Sequence, residues 1–228
     1  DYTFLKKISV PADIMNSATS IYEMKAKAEL RRTDFAEVFS AMESVAKIQS
    51  VKISNAIKWI IMTDKRIRDI VNKSTAPLGH NELEIAGYRD ALDLIHGSYS
   101  DIPFSEKSIL ELHRMLLQPS GDDLAGKYKT EDNSIMEIDR EGVRSVRFTP
   151  VPAGETSTAM EQLILAYHAA YLEAEINPLL LIPCVILDFL CIHPFRGGNG
   201  RMSRLLSLLL LYKSGFSSGK YVSIAYPY

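Results

Sequence analysis

The chain has 228 residues, 46% of them apolar, and a formal net charge of −2. That length and apolar content suit one large domain, or a domain with an extension, and the near balance of charge excludes a general affinity for nucleic acid or for an anionic membrane. The longest apolar runs, 179–192 and 205–212, are too short to cross a bilayer. Cys184 and Cys191 lie seven apart in one apolar run, on a similar face of a predicted helix. A mutual disulfide is therefore not expected. Buried free thiols fit a reducing compartment, and no signal-peptide pattern opens the sequence, so a cytoplasmic location is expected.

In chain order, Pro11 and the stripe Ile14, Ala18, Ile21 and Ala28 predict a helix over 11–31. Thr33 and Asp34 offer a cap for a second helix over about 34–57, with Phe35, Val38, Met42, Val45 and Val51 at helical spacing. A helix is expected at Glu84–Leu92, and another ends near Leu117, capped by Ser105 or Ser108 and stopped by Pro119-Ser-Gly121. Between 123 and 150 the helical rhythm breaks, and Asn133–Ile138 and Val143–Phe148 read as two short strands around a turn at Asp139–Gly142. Thr156 or Ser157 can cap a helix running to about 176. Asn177-Pro178 starts an apolar helix toward His193, in which Pro183 marks a kink or a later start. Leu205–Tyr212 is apolar all round and predicts a helix buried on every side. His113 reads as a packing histidine, and His80, His96 and His168 show no metal-ligand spacing with either cysteine.

The densest chemistry lies at His193-Pro-Phe-Arg-Gly-Gly-Asn-Gly-Arg-Met-Ser-Arg204. Gly197, Gly198 and Gly200 let the backbone turn tightly and approach a ligand. The helix that opens just after them presents free N–H groups to an anion. Arg201 and Arg204, three apart on one helix face, suit phosphate oxygens. His193 is a base with an ordinary pKa near neutrality. A lone histidine before a turn is usually structural, and a glycine-rich turn often only connects. The combination points to a phosphate site with a proton acceptor beside it.

This stretch resembles the signature of the Fic family, usually His-Pro-Phe-x-(Asp or Glu)-Gly-Asn-Gly-Arg-x-x-Arg. It matches at His193, Pro194, Phe195, Gly198, Asn199, Gly200, Arg201 and Arg204 and departs at the acidic position, which is Gly197. A second resemblance lies upstream. Many Fic proteins carry an inhibitory helix with Ser or Thr, three residues, then Glu and Gly or Asn. Ser54, Ala56 and Ile57 fit that pattern, and Thr63-Asp-Lys-Arg-Ile67 fits the segment just beyond it, but the Glu and its neighbour are Lys58 and Trp59. The resemblance covers about 45–224 and is strongest over 184–212.

The resemblance implies an all-α fold, a Fic-type helical core with a small β-hairpin flap. Residues 1–100 would form an N-terminal helical region with the degenerate inhibitory helix, and 101–228 the Fic core, which ends sooner than relatives do. It implies transfer of AMP from ATP to a Ser, Thr or Tyr hydroxyl of a target protein. His193 would be the catalytic base, and Gly198, Asn199, Gly200, Arg201 and Arg204 would bind the nucleotide phosphates. The flap, at Val146, Arg147 and Phe148, would clamp the target by strand addition. ATP would be the substrate, and Mg²⁺ would have no protein carboxylate in the signature, since the acid that holds it in the family is Gly197. In the family the inhibitory Glu pairs with the arginine equivalent to Arg204. Lys58 would either point to solvent or, placed at the same spot, repel that group, by about 1 kcal/mol at ~4 Å in water and about 4 at an effective dielectric of ~20. Two readings stay open: a transferase that is weak at Gly197 and freed of its brake, and a degenerate domain that binds nucleotide or a protein partner without catalysis. No membrane and no general nucleic-acid partner is expected, and an oligomer is compatible with the sequence.

Overall fold

The apolar periodicities resolve into helices close to where the sequence places them. The computed structural model describes residues 1–56, 62–139, 141–173 and 175–224. Among these, α1 spans Ala12–Arg31, α2 Ala36–Ala56, α3 Asp64–Val71 and α4 Gly79–Ser98. Then come α5 Glu106–Leu117, strands β1 Ile135–Ile138 and β2 Arg144–Phe148, α6 Thr156–Leu172, α7 Pro178–Ile192 and α8 Asn199–Lys213. The fold is all-helical apart from the β1–β2 hairpin, as expected.

Polar side chains mark several helix starts. Thr63 Oγ1 accepts from the Arg66 N–H at 3.3 Å to open α3, and Ser105 Oγ accepts from the Ser108 N–H at 3.3 Å to open α5. Asn177 Oδ1 accepts from the Leu179 N–H at 2.9 Å, with Pro178 as the first residue of α7. Helix α7 therefore starts at Pro178 and runs through Pro183, where the ring lies within the helix. The expected cap on α6 takes another form. A 3₁₀ turn, Ala153–Glu155, already leads into the helix, so Thr156 is its first residue and its hydroxyl donates to the Pro152 carbonyl at 3.0 Å.

Helix α4 lies at the centre, packed against α2, α3, α5 and α8, and α7 packs between α6 and α8. The α4–α5 approach depends on Gly87, where any Cβ would meet the Leu116 carbonyl oxygen at 2.3 Å. Helix α8 is buried along Leu205, Leu206, Leu208, Leu209 and Leu210, which makes the element behind the signature a rigid support. The two strands are antiparallel, with Ile138 opposite Arg144 and Met136 opposite Val146, and the register shifts between Ile135 and Met136. The stripes on α1 and early α2 form helices but stay largely uncovered. Ile14, Ile21, Phe35, Val38 and Val45 are all exposed. Cys184 and Cys191 are free thiols. Among the described residues, no helix is long and apolar enough to cross a membrane.

Two histidines, His113 in the core and the partly buried His96, make stability depend on acid. Burial pushes both His96 and His113 down to about 4. Each ring has an ordinary pKa in the unfolded chain, so the unfolded state binds more protons below about pH 6.5. Their contribution is therefore full above that value and is lost as pH falls toward 4. Thermal melts should show a midpoint several degrees lower at pH 5 than at pH 7, from about 2 kcal/mol per histidine. Equal midpoints would show that these rings are not held neutral by the fold.

Candidate functional site

Helix α7 ends by turning left-handed at His193, with φ 50° and ψ 60°, and its N–H caps the helix by donating to the Phe189 carbonyl at 2.9 Å. Gly198, at φ 80°, makes the second left-handed step and is the N-cap of α8. Between them the chain folds back on itself. The Phe195 ring is wholly buried. Asn199 braces the fold with both ends of its amide: Oδ1 accepts from the Phe195 N–H at 3.0 Å and Nδ2 donates to the Phe195 carbonyl at 2.7 Å. Asn199 is itself buried, so its side chain shapes the turn.

The segment after α5 supplies further struts. Lys129, nearly buried, donates from Nζ to the Ile192 carbonyl at 3.2 Å and from its backbone N–H to the Pro194 carbonyl at 2.9 Å. Its Nζ also donates to Asn133 Oδ1 at 2.9 Å, and Asn133 Nδ2 donates to the Phe195 carbonyl at 3.3 Å. The contact to Ile192 satisfies one of the carbonyls that the end of α7 leaves open, and the others tie down the turn beyond it.

His193 is half-buried. Its Nδ1 lies 3.3 Å from the Leu190 carbonyl, which can only accept, so the proton of the neutral ring sits on Nδ1 and Nε2 keeps its lone pair. Burial pushes the His193 pKa down, the bond to Leu190 opposes that, and the nearby Lys129 ammonium adds to the lowering. The ring is therefore neutral at pH 7 and basic at Nε2.

The two signature arginines have different surroundings. Arg201 is buried, and its Nη1 pairs with Glu84 Oε2 on α4 at 2.9 Å. Glu84 Oε1 also lies 3.1 Å from His80 Nε2. The Nε and Nη2 donors of Arg201 have no hydrogen-bond partner among the described residues. Arg204 is half-buried; its Nε donates to Ser54 Oγ at 2.9 Å and its Nη2 to the Ser54 carbonyl at 3.1 Å. Ser54 is wholly buried near the end of α2. The first residue of the inhibitory-like motif thus meets the last arginine of the signature. Lys58 and Trp59 lie outside the described residues.

Gly197 is half-buried, has no positive φ, and shows no atom within 4 Å of where a Cβ would stand. Gly200 is exposed in the first turn of α8. Among the described residues, no cluster of three or more His, Cys, Asp or Glu side chains could hold a metal. The turn offers Mg²⁺ no carboxylate, so the residues present do not fit a protein-held metal. On the hairpin, Val146, Arg147 and Phe148 are all exposed. The sequence reading missed the parts of His113, Lys129, Asn133 and Glu84. A polar residue in a buried helical stripe was the available signal for His113 and Glu84, whereas Lys129 and Asn133 lie in irregular chain with no period to mark them.

The architecture defines a helical domain in which a histidine at one helix end precedes a glycine-rich turn at the start of the next. Residues 103–211 match the model described as the Fic/DOC family. Over this segment the chain is similar to that family. It is 27% identical over 181 residues to the protein adenylyltransferase Fic of Nematostella vectensis, and 28% identical over 194 residues to the protein adenylyltransferase fic-1 of Caenorhabditis elegans. These alignments cover 75% and 82% of this chain but only 39% and 33% of the two relatives. In fold the chain is similar to a Fic domain-containing signaling protein from Bacteroides thetaiotaomicron, with a TM-score of 0.74, 23% identity, and coverage of 86% of this chain and 73% of that one. It is also similar to a Fic family protein from Desulfovibrio desulfuricans, with a TM-score of 0.72, 21% identity, and coverage of 92% and 61%.

Proposed function

We propose that the protein transfers AMP from ATP to a hydroxyl side chain of a protein. The observation that carries this reading is the neutral His193, whose Nδ1–H is committed to Leu190 and whose Nε2 is left as a base, beside the N-terminal turn of α8. Nε2 would take the proton from a Ser, Thr or Tyr hydroxyl. The hydroxyl oxygen would attack the α-phosphorus as the bond to the bridging oxygen breaks, and pyrophosphate would leave. The N–H groups of Gly198, Asn199 and Gly200 would cradle phosphate oxygens at the positive end of α8. Arg204 would neutralise the outer phosphates. A buried Arg201 with donors to spare would add positive potential and hold the helix start against α4.

The exposed hairpin, with Val146, Arg147 and Phe148 on β2, would receive the target's extended segment by strand addition, a backbone mode that tolerates varied target sequences. Ser54 already holds Arg204, so the γ-phosphate of ATP would compete with that contact. With no carboxylate at Lys58, the competition would be weaker than in relatives that carry the inhibitory Glu.

Gly197 favours a second reading, in which the domain binds nucleotide or a partner protein without transfer. Incubation with ATP labelled in the α-phosphate, followed by mass analysis of the protein and of candidate targets, separates the two. Addition of AMP supports transfer, and nucleotide binding without addition supports the degenerate domain. For binding itself, Arg204→Ala is the cleaner probe, because truncating Arg201 would also break a buried ion pair. Calorimetry should show ATP binding weakened about ten- to a hundredfold by Arg204→Ala, the share of charge-assisted hydrogen bonds of about 1.5–3 kcal/mol. Equal affinity in both proteins would remove Arg204 from the nucleotide site.

A further inference from the structure

We infer that His113, on α5, is a positioning residue that aims the Gly198 N–H at the bound phosphate; this rests on the phosphate reading of the turn. His113 is buried on α5. Its ring stacks flat on Phe195, with centroids 3.6 Å apart and planes 6° from parallel. The Gly126 N–H donates to Nδ1 at 3.0 Å, so Nδ1 must be unprotonated. The single proton of the neutral ring then sits on Nε2, which donates to the Gly197 carbonyl at 3.0 Å. Both ring nitrogens are therefore assigned by their partners. Burial pushes the ring down to about 4, in keeping with that neutral form.

The consequence for the turn is stereochemical. None of the described peptide bonds is cis. In a planar trans peptide the N–H points opposite to the C=O. Fixing the Gly197 carbonyl toward α5 therefore directs the N–H of the same peptide, that of Gly198, away from α5. That N–H has no hydrogen-bond partner among the described residues. Gly198 itself fits closely here: a Cβ would stand 3.3 Å from the Leu116 side chain and 3.5 Å from His113 Nε2. Together with the left-handed φ at this residue, that crowding explains why glycine stands here. His113 thus acts through Gly198 and touches no reacting atom.

The test uses the full chain and two variants. In ¹⁵N spectra of the wild type, His113 should show a bare Nδ1 and a protonated Nε2. His113→Phe keeps a ring against Phe195 but has no donor, and should shift the Gly198 amide resonance and weaken ATP binding about tenfold. His113→Gln can return an N–H to the Gly197 carbonyl and should recover at least half of the lost affinity. A merely structural histidine would lower the melting temperature of His113→Phe and leave its Gly198 resonance and ATP affinity at wild-type values. That result, a protonated Nδ1, or a Gln variant no better than Phe would overturn the inference. If His113→Phe does not fold, the Gln variant decides by the same resonance and affinity. If the wild type shows no saturable response to millimolar ATP, the phosphate reading falls, and the imidazole shifts alone uphold or overturn the hold on Gly197.

Discussion

His193→Ala should lower AMP transfer by about a hundred- to ten-thousandfold, the usual share of a positioned general base, while ATP affinity changes little. The alanine removes the Nε2 lone pair but not the turn, which is braced by Asn199, Lys129 and Asn133 on the carbonyls around it. Left-handed backbone at residue 193 is costlier for alanine than for histidine, so the variant's fold is checked by its melting curve alongside the assay. The pH response of the wild type is the companion measurement. His193 titrates below the ordinary histidine value, and its base form is the deprotonated one. Transfer should rise with pH to a plateau reached at or below neutrality. Label incorporation from α-labelled ATP reads both effects. Undiminished transfer by a folded His193→Ala protein would take His193 out of the mechanism.

Gly197→Asp should raise Mg²⁺-dependent AMP transfer about ten- to a hundredfold. Metal stabilisation of developing charge is worth several kcal/mol, and about 1.4–2.7 of these correspond to that gain. The backbone accepts the change. Gly197 has no positive φ, and a Cβ there would meet no atom within 4 Å. The carbonyl of residue 197 keeps its bond to His113, which depends on the main chain alone. The new carboxylate would stand in the turn between Phe195 and Asn199, where the family signature carries its acid. The assay is incorporation of label at varied Mg²⁺, wild type beside variant. A folded variant that binds ATP and gains nothing would make the non-catalytic reading the leading one.

Much of the site was legible in order along the chain, because its chemistry is concentrated in twelve consecutive residues, 193–204. Glycine at 198 announces a left-handed step, and Ser105 and Asn177 announce helix starts, since these effects act over a few residues. Helix periods likewise need only their own segment. The same periods were silent on partners. The stripe Leu205–Leu210 is covered on every side, whereas the stripe Phe35–Val45 is exposed, although both read as apolar helical faces.

The sequence by itself determined the order of the helices other than α3, the hairpin between α5 and α6, and a histidine placed ahead of a glycine-rich helix start. These depend on local sterics, hydrogen-bond geometry and side-chain period, which act within a turn or two of chain. Only the tertiary structure decided what each polar group of the candidate site touches. It placed Glu84, 117 residues before Arg201 in the chain, against that arginine. It set Ser54 on Arg204 and His113 on the Gly197 carbonyl. It turned the Asn199 side-chain amide onto both backbone groups of Phe195. The reason is that a buried donor must find an acceptor wherever packing brings one, and the neighbours in that search are chosen by the fold.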